Sequence, residues 1–160
     1  MFPGPIDRVV RGCTDQFIAI PVGMLSLAEY SDRHGYKVSI DNIGDRMVSD
    51  PDFDVENHLR RAEAKIYGID LHWAVHSQGA IEIARLCKRF HPEALVVVGG
   101  LTATCFHLEI LQKYWFIDAV VRGEAEKSFL QLVEVFERRG GSPLFQMLLG
   151  VRVERLGWSL

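Results

Sequence analysis

The stretch ALVVVGG, residues 94–100, decides the fold class. Four consecutive apolar residues, Leu95 to Val98, are expected in a central strand of a parallel sheet that helices cover on both faces. The two glycines that follow end the run and let the chain turn. Amphipathic, helix-like stretches stand on either side, so the sequence predicts a strand inside a layered α/β domain.

Four further apolar runs repeat this pattern. They are FIAI (17–20), KVSIDNI (37–43), KIYGIDL (65–71) and IDAVVRG (117–123), and each is followed by a helix-like stretch. This alternation predicts a flavodoxin-like, Rossmann-like doubly wound sheet of five parallel strands in the order 2-1-3-4-5, with helices on both faces.

The sequence also predicts where several helices begin and end. We expect Asp54 to cap the start of a helix, because its carboxylate can accept from exposed backbone N–H groups. We expect Gly35 to end a helix in the left-handed conformation and Pro92 to stop another.

Ligands of such a sheet bind beyond the carboxyl ends of the strands, at the switch point between strands 1 and 3. The loops that meet there are PVGMLS (21–26) and HWAVHS (72–77). The second belongs to GIDLHWAVHSQGAIEIA (68–84), which places an aspartate, two histidines and a tryptophan within seven residues. A helix is expected to open after Ser77.

Composition limits the function classes. A chain of 160 residues is long enough for one domain that needs neither disulfides nor a structural metal. A net charge of −3 argues against a nucleic-acid partner. No apolar run is long enough for a membrane span, and the N-terminus lacks a signal-peptide pattern. The three cysteines suggest no disulfide framework, so a cytoplasmic location is expected.

The domain is expected to occupy residues 1–141. The tail 142–160 breaks the strand–helix alternation, so we expect an edge strand or hairpin, or a stub that leads into a further domain.

Three familiar uses of this fold do not fit the loops. A phosphoacceptor receiver needs an acidic pair after strand 1 and a lysine after strand 5, where this chain has AIPVGM and Arg122. A flavodoxin-type site needs a phosphate loop rich in Ser and Thr, and a dinucleotide site needs G-x-G-x-x-G after strand 1. The apolar, glycine-containing loops favour a large and mostly uncharged ligand instead.

Four blocks of the sequence carry a family resemblance. PVGMLSLAEYSDRHGYKVSIDNIG, IYGIDLHWAVHSQGAIEIARLCKRFHP, VVVGGLTATCF and DAVVRGEAE resemble the cobalamin (B12)-binding domain found N-terminal to radical S-adenosylmethionine (radical SAM) domains. The resemblance covers about residues 17–138. It implies a cobalamin-binding module of a radical enzyme, methyltransferase-like in its reaction, with cobalamin and a radical SAM domain in cis or in trans as partners.

The resemblance also implies where cobalamin binds. The corrin ring would lie over the carboxyl ends of the strands, and its nucleotide tail would thread between strands 1 and 3 toward the Gly-Gly pair. The matching positions are Pro21, Val22, Gly23, Met24, Leu25, Ser26, Asp70, Leu71, His72, Trp73, His76, Gly99, Gly100, Leu101, Thr102, Gly123 and Glu124. Glycines would leave room for the planar base, and hydroxyl groups could bind the amides of the ligand.

Two features of the wider family are missing. The cobalt-ligating D-x-H-x-x-G does not follow strand 1, and its two halves, Asp70-Leu71-His72 and His76-Ser77-Gln78-Gly79, stand apart after strand 3. We therefore expect base-off cobalamin without a protein histidine ligand. No C-x-x-x-C-x-x-C is present, so this chain cannot bind the [4Fe–4S] cluster that serves S-adenosylmethionine in a full-length relative. We expect either an excised domain or a stand-alone carrier, not a catalyst acting alone.

Each candidate residue also has a purely structural interpretation. Asp70 could cap the next segment or orient His72, Trp73 could fill the core, and Gly99–Gly100 could form a tight turn. His72 and His76 have a spacing that can bind zinc, but only Asp70 could add a third ligand nearby. The alternative function is a scaffold or interaction domain that kept the fold and lost the ligand. An exposed apolar loop after strand 1 favours the cofactor.

Overall fold

The computed structural model describes residues 22–138, and within them three strands form one parallel sheet in the order β1-β2-β3. The strands are β1 (Ile66–Asp70), β2 (Leu95–Gly99) and β3 (Ala119–Val120). β1 pairs with β2 along its whole length, and β3 pairs with Val97 and Val98 of β2. These are the predicted strands 3, 4 and 5, in the predicted neighbouring order.

Helices precede, connect and follow the three strands. They are α1 (Val22–Arg33), α2 (Ile43–Ser49), α3 (Val55–Arg61), α4 (Ser77–Phe90), α5 (Leu101–Cys105), α6 (His107–Lys113) and α7 (Glu126–Arg138), with a 3₁₀ turn at Ala74–His76 before α4. Within residues 22–138, no helix is long and apolar enough to cross a membrane.

The central strand β2 separates two cores. Val96 and Val98 point into the core that α2 to α6 cover, and Leu95 and Val97 point into the core that α7 covers. All four side chains are buried, and burying each one stabilises the fold by about 1.5–3 kcal/mol. The expected coverage of the sheet by helices on both faces is confirmed for the described residues.

The predicted helix ends are confirmed. The Asp54 carboxylate accepts from the Asn57 N–H at 3.0 Å and caps α3. Gly35 follows α1 with φ 86°, a conformation that glycine adopts at little cost. Helix α4 ends at Phe90, two residues before Pro92.

The strand expected at residues 37–43 is wrong. Residues 36–42 have no regular structure, and Ile43 begins α2. The Asn42 side chain accepts from the Asp45 N–H at 3.1 Å, so helix capping ends the extended segment. No strand among residues 22–138 lies beside this segment to form a ladder with it.

The loop expected at residues 21–26 is wrong from Val22 onward, where α1 begins. The α1 sequence contains no proline and one β-branched residue, and its one glycine, Gly23, lies in the first turn, so the helix can start this early.

Other expectations lie outside the described residues. They are the first predicted strand at 17–20, Pro21, the boundary after residue 141 and the tail 142–160. Three of the five expected strands are thus present, the one at 37–43 is not, and the one at 17–20 stays a prediction.

Candidate functional site

The carboxyl ends of the three strands bring most of the predicted site residues to one edge of the sheet. Because the strands are parallel, the segments after β1, β2 and β3 leave at the same edge. The Leu71 N–H donates to the Gly99 oxygen at 2.8 Å, and the Val121 N–H donates to the Val98 oxygen at 2.9 Å. The three segments are thus held side by side where they leave the strands.

The predicted residues occupy four segments that begin or end near this edge. Val22, Gly23, Met24, Leu25 and Ser26 open α1; Asp70 ends β1, and Leu71, His72, Trp73 and His76 follow it; Gly99 ends β2, Gly100 precedes α5, and Leu101 and Thr102 open α5; Gly123 and Glu124 follow β3.

Helix α5 docks on the segment after β1. The carbonyl oxygen of His72 accepts from the Thr102 hydroxyl at 2.9 Å and from the Thr102 N–H at 3.3 Å. The Ala103 N–H donates to the Leu71 oxygen at 3.2 Å. The Thr102 hydroxyl therefore has its donor committed inside the protein, and a ligand amide could use only its acceptor side.

Gly100 has a structural requirement of its own. Its φ of 105° and ψ of 179° lie in a region that residues with a side chain rarely adopt. A Cβ there would lie 2.9 Å from the backbone N of His72 and 2.9 Å from the carbonyl carbon of Leu71. Around Gly99, an added Cβ would meet only the Val121 oxygen, at an ordinary 3.7 Å. The tight-turn interpretation therefore holds for Gly100, whereas ligand approach at the pair stays a prediction.

Thr104 is a site residue that the sequence analysis missed. Its hydroxyl donates to the Gly100 oxygen at 2.9 Å and accepts from the Gly123 N–H at 3.0 Å. The available signal was a hydroxyl residue one helical turn beyond the second glycine of GGLTAT. Its partner in the segment after β3 could not be read from that spacing.

Helix α1 reaches the site through α7. The Ser26 hydroxyl donates to a carboxylate oxygen of Glu126 at 2.8 Å. The backbone N–H of Glu126 and the Ser26 hydroxyl together lower the pKa of the Glu126 carboxyl. Glu126 opens α7 just beyond Glu124, so this contact places the start of α1 near the segment after β3. Sequence analysis did not single out Glu126.

The Asp70 carboxyl interacts with the imidazoles of His72 and His76. Burial raises the pKa of the Asp70 carboxyl, against the attraction of His72 and His76. Burial likewise lowers the pKa of His76, against the attraction of Asp70. Within residues 22–138, no group of three or more His, Cys, Asp or Glu side chains is arranged to hold a metal ion. The arrangement thus supplies polar contacts and no complete metal site in that part of the chain.

Large apolar side chains are exposed at this edge. Their exposed fractions run from 44% to 80%, and they are Val22, Leu25, Trp73, Val75 and Leu101. Trp73 is 44% exposed and packs edge to face on the His72 ring at 4.9 Å. The interpretation of Trp73 as a core residue is therefore wrong. A ligand or partner that covered these side chains would remove their apolar surface from water.

An open groove of about 700 Å³ lies at the opposite edge of the sheet. It is lined by residues 63–65 and 91–94, which precede β1 and β2, and by the end of α7. None of the predicted site residues contributes to it. The groove and the candidate site are therefore separate features of the molecule.

Comparison with known proteins identifies the family. The sequence model of the B12 binding domain matches residues 8–133, most of the chain. The chain belongs to this family. This chain is 26% identical over 121 residues to an anaerobic magnesium-protoporphyrin IX monomethyl ester cyclase of Cereibacter sphaeroides. The alignment covers 76% of this chain and 18% of the relative. No solved structure matched significantly.

A second relative carries the same name. The anaerobic magnesium-protoporphyrin IX monomethyl ester cyclase of Rubrivivax gelatinosus is 33% identical to the domain over 54 residues, or 34% of this chain and 10% of the relative. The aligned part of this B12 binding domain thus spans less than a fifth of the length of either relative.

The chemistry of the carboxyl edge fits cobalamin. A corrin presents a broad ring with apolar faces and a rim of amide groups. The edge combines exposed apolar side chains with the exposed residues 122–124 and with the acceptor side of the Thr102 hydroxyl. That mixture of apolar area and a few convergent polar groups is typical of cofactor sites.

Proposed function

We propose that this B12 binding domain is a cobalamin carrier that holds the corrin over the carboxyl edge of the sheet. The observation that carries the proposal is the exposure of Val22, Leu25, Trp73 and Leu101 on segments that begin at that edge. Covering these side chains with a corrin would remove apolar area from water, at about 25 cal/mol per Å². The family membership supports the same ligand.

The residues proposed to hold the cofactor come from all four segments. The apolar side chains of α1 and Trp73 would pack against the ring, and the turn at Gly99–Gly100 with Thr102 would lie along the nucleotide tail. Gly123 and Glu124 would border the cofactor from the segment after β3. When bound, cobalamin supplies a cobalt centre for group transfer, and the protein binds, orients and shields it.

We further propose that the cofactor is held base-off and without a protein histidine on cobalt. The α1 sequence contains no histidine. After β1, the His72 ring packs against Trp73, and its carbonyl is held by α5. These contacts support a structural role for His72, and a cobalamin bound at this edge would receive no histidine from α1.

The reaction requires a second unit under this proposal. We propose a radical SAM domain, in cis or in trans, that binds the [4Fe–4S] cluster and S-adenosylmethionine and acts in a methyltransferase-like reaction. Both named relatives are more than five times longer than their aligned parts, which leaves room in them for further domains.

We also propose a cytoplasmic location for the protein. Cys87 and Cys105 are free thiols, which supports this location.

Gel filtration with hydroxocobalamin tests the proposal. The purified protein is mixed with the ligand, separated from the excess, and the visible spectrum of the protein peak is recorded. We expect a retained cofactor with a base-off spectrum. A spectrum with histidine coordination would contradict the proposed cobalt ligation and implicate His72 or His76. A colourless peak would favour the alternative, a scaffold domain whose exposed apolar side chains contact a protein.

A pair of tryptophan variants locates the bound corrin. Trp73→Ala should weaken hydroxocobalamin binding roughly tenfold, because a large aromatic contact is lost. The matched control is Trp115→Ala, since Trp115 is 75% exposed and precedes β3 at the opposite edge. Its affinity should equal that of the unmodified protein. Equal losses in both variants would place the ligand elsewhere.

A further inference from the structure

We propose that Thr104 is a positioning residue of the cobalamin site, an inference that rests on the proposed function. Its hydroxyl joins the turn after β2 to the segment after β3, through Gly100 and Gly123. Both of these segments are proposed to border the cofactor. Thr104 itself would not touch the corrin. It would set the separation of the two segments that do.

Beyond Val121, which is buried and bonded to Val98, the segment after β3 is exposed, and there the contact with Thr104 matters most. Strand β3 is two residues long, and residues 122–124 are exposed. Gly123 has φ 66°, and a Cβ added to it would meet nothing within 4 Å. A side chain at this position would thus have open space around it, and the hydrogen bond from the Gly123 N–H to Thr104 ties the segment to α5.

Helix α5 carries a second hydroxyl, that of Thr102, which binds the segment on the other side of the helix. Thr102 donates to the His72 oxygen in the segment after β1, and Thr104 binds the segment after β3. Residues two apart on a helix point to nearly opposite sides, since each step turns the chain by about 100°. Between them, Ala103 is fully buried. The first turn of α5 therefore sets the distances between the segments that follow β1, β2 and β3.

The effect of removing the Thr104 hydroxyl should fall mainly on the site. The Gly123 N–H is exposed and can bind water instead, so little stability is lost. The segment 122–124 would then move freely relative to Gly100. A cofactor that contacts both would have to order the segment on binding, which weakens affinity.

The experiment compares Thr104→Val with Thr104→Ser. Valine keeps the shape and removes the hydroxyl, and serine keeps the hydroxyl. Two quantities are measured: amide hydrogen exchange at Gly123 in the ligand-free protein, and hydroxocobalamin affinity by absorbance titration. For Thr104→Val we expect exchange and dissociation constant both to rise roughly five- to tenfold, as loss of one hydrogen bond predicts. Thr104→Ser should restore both.

Leu59→Ala is the stability control. Leu59 is buried in α3, and its truncation should lower the thermal midpoint without changing either quantity. If unmodified protein binds and Thr104→Val binds equally well, the positioning role is overturned and the carrier function stands. If Leu59→Ala weakens binding as much, or if serine fails to rescue, the positioning role is also overturned. If the unmodified protein does not bind hydroxocobalamin, both proposals fall.

Discussion

Gly100 combines a rare backbone conformation with a close backbone contact, and each has its own energetic cost for a substitution. Gly100→Ala should lower the free energy of unfolding by about 2–4 kcal/mol, because strain adds to the clash with His72. The matched control is Gly35→Ala, since Gly35 has φ 86° and open space around it. That variant should lose only about 1 kcal/mol. Urea denaturation measures both, and equal losses would contradict the clash.

Ionisation of Asp70 should lower the stability of the protein as the pH rises, which is the reverse of the usual effect of a carboxylate. Burial raises its pKa above the ordinary 3.8, so the folded state holds the proton more tightly than the unfolded state. Its ionisation therefore costs stability once the pH rises above 3.8 toward and beyond the folded-state pKa. Asp70→Asn, which imitates the protonated form, should stabilise the protein by less than about 1 kcal/mol near pH 7 and have no effect near pH 3.

Asp41 supplies a control of the opposite sign. Burial would raise its pKa, but His58 and Arg46 hold the pKa of the carboxyl below 3.8. Its contribution is present above pH 3.8 and is lost as the pH falls through the folded-state value. Asp41→Asn should therefore destabilise the protein near pH 7, and the difference should shrink in acid. Urea midpoints between about pH 3 and pH 7 record both variants, and shifts of the same sign at pH 7 would contradict these assignments.

At the scale of elements, a buried ion pair ties α4 to the sheet. Lys88 Nζ lies 2.7 Å from Asp118 Oδ2 and 2.8 Å from the Ala94 oxygen. The same carboxylate oxygen accepts from the Val96 N–H at 2.7 Å. The two side chains are 10% and 3% exposed. This network joins the last turn of α4 to the starts of β2 and β3.

Removing the cation should be costly. Lys88→Met keeps the aliphatic stem but leaves the Asp118 charge buried without its cation, so the free energy of unfolding should fall by about 3 kcal/mol. The control is Lys65→Met, because Lys65 is 80% exposed and lies 3.5 Å from Glu137. Exposed pairs of this kind contribute at most about 1 kcal/mol. Similar losses in the two variants, measured by urea denaturation, would contradict the importance of burial.

At the scale of the whole molecule, the proposed site exists only in the folded chain. Its segments are separated in sequence and meet because parallel strands end at one edge. Cobalamin should therefore bind the folded state alone and raise the thermal midpoint. At 100 times the dissociation constant the gain is about 2.7 kcal/mol, or roughly 5–10 °C for a domain of this size.

Calorimetry with and without hydroxocobalamin measures this shift. Trp115→Ala should keep the full shift, and Trp73→Ala should show a smaller shift at the same ligand concentration. An unchanged midpoint for unmodified protein at saturating ligand would contradict binding to the folded domain.

Features set by neighbours along the chain were predictable from the sequence. The LVVV run predicted a strand buried on both faces, because its pattern reports burial directly. Asp54 and Gly35 act through backbone groups within a few residues, so their capping roles were equally legible. The strand predicted at 37–43 was wrong. The apolar pattern of this segment fits a strand, but Asn42 caps helix α2, which begins at Ile43.

Features set by contacts between distant segments were decided only by the tertiary structure. The requirement for glycine at position 100 comes from the backbone of His72 in another loop. The roles of Thr104 and of the Lys88–Asp118 pair likewise depend on which segments meet. The sequence by itself determined the layered parallel sheet, the edge at which its loops gather and the family. The close contacts at that edge depend on distances between strand ends, which local patterns do not encode.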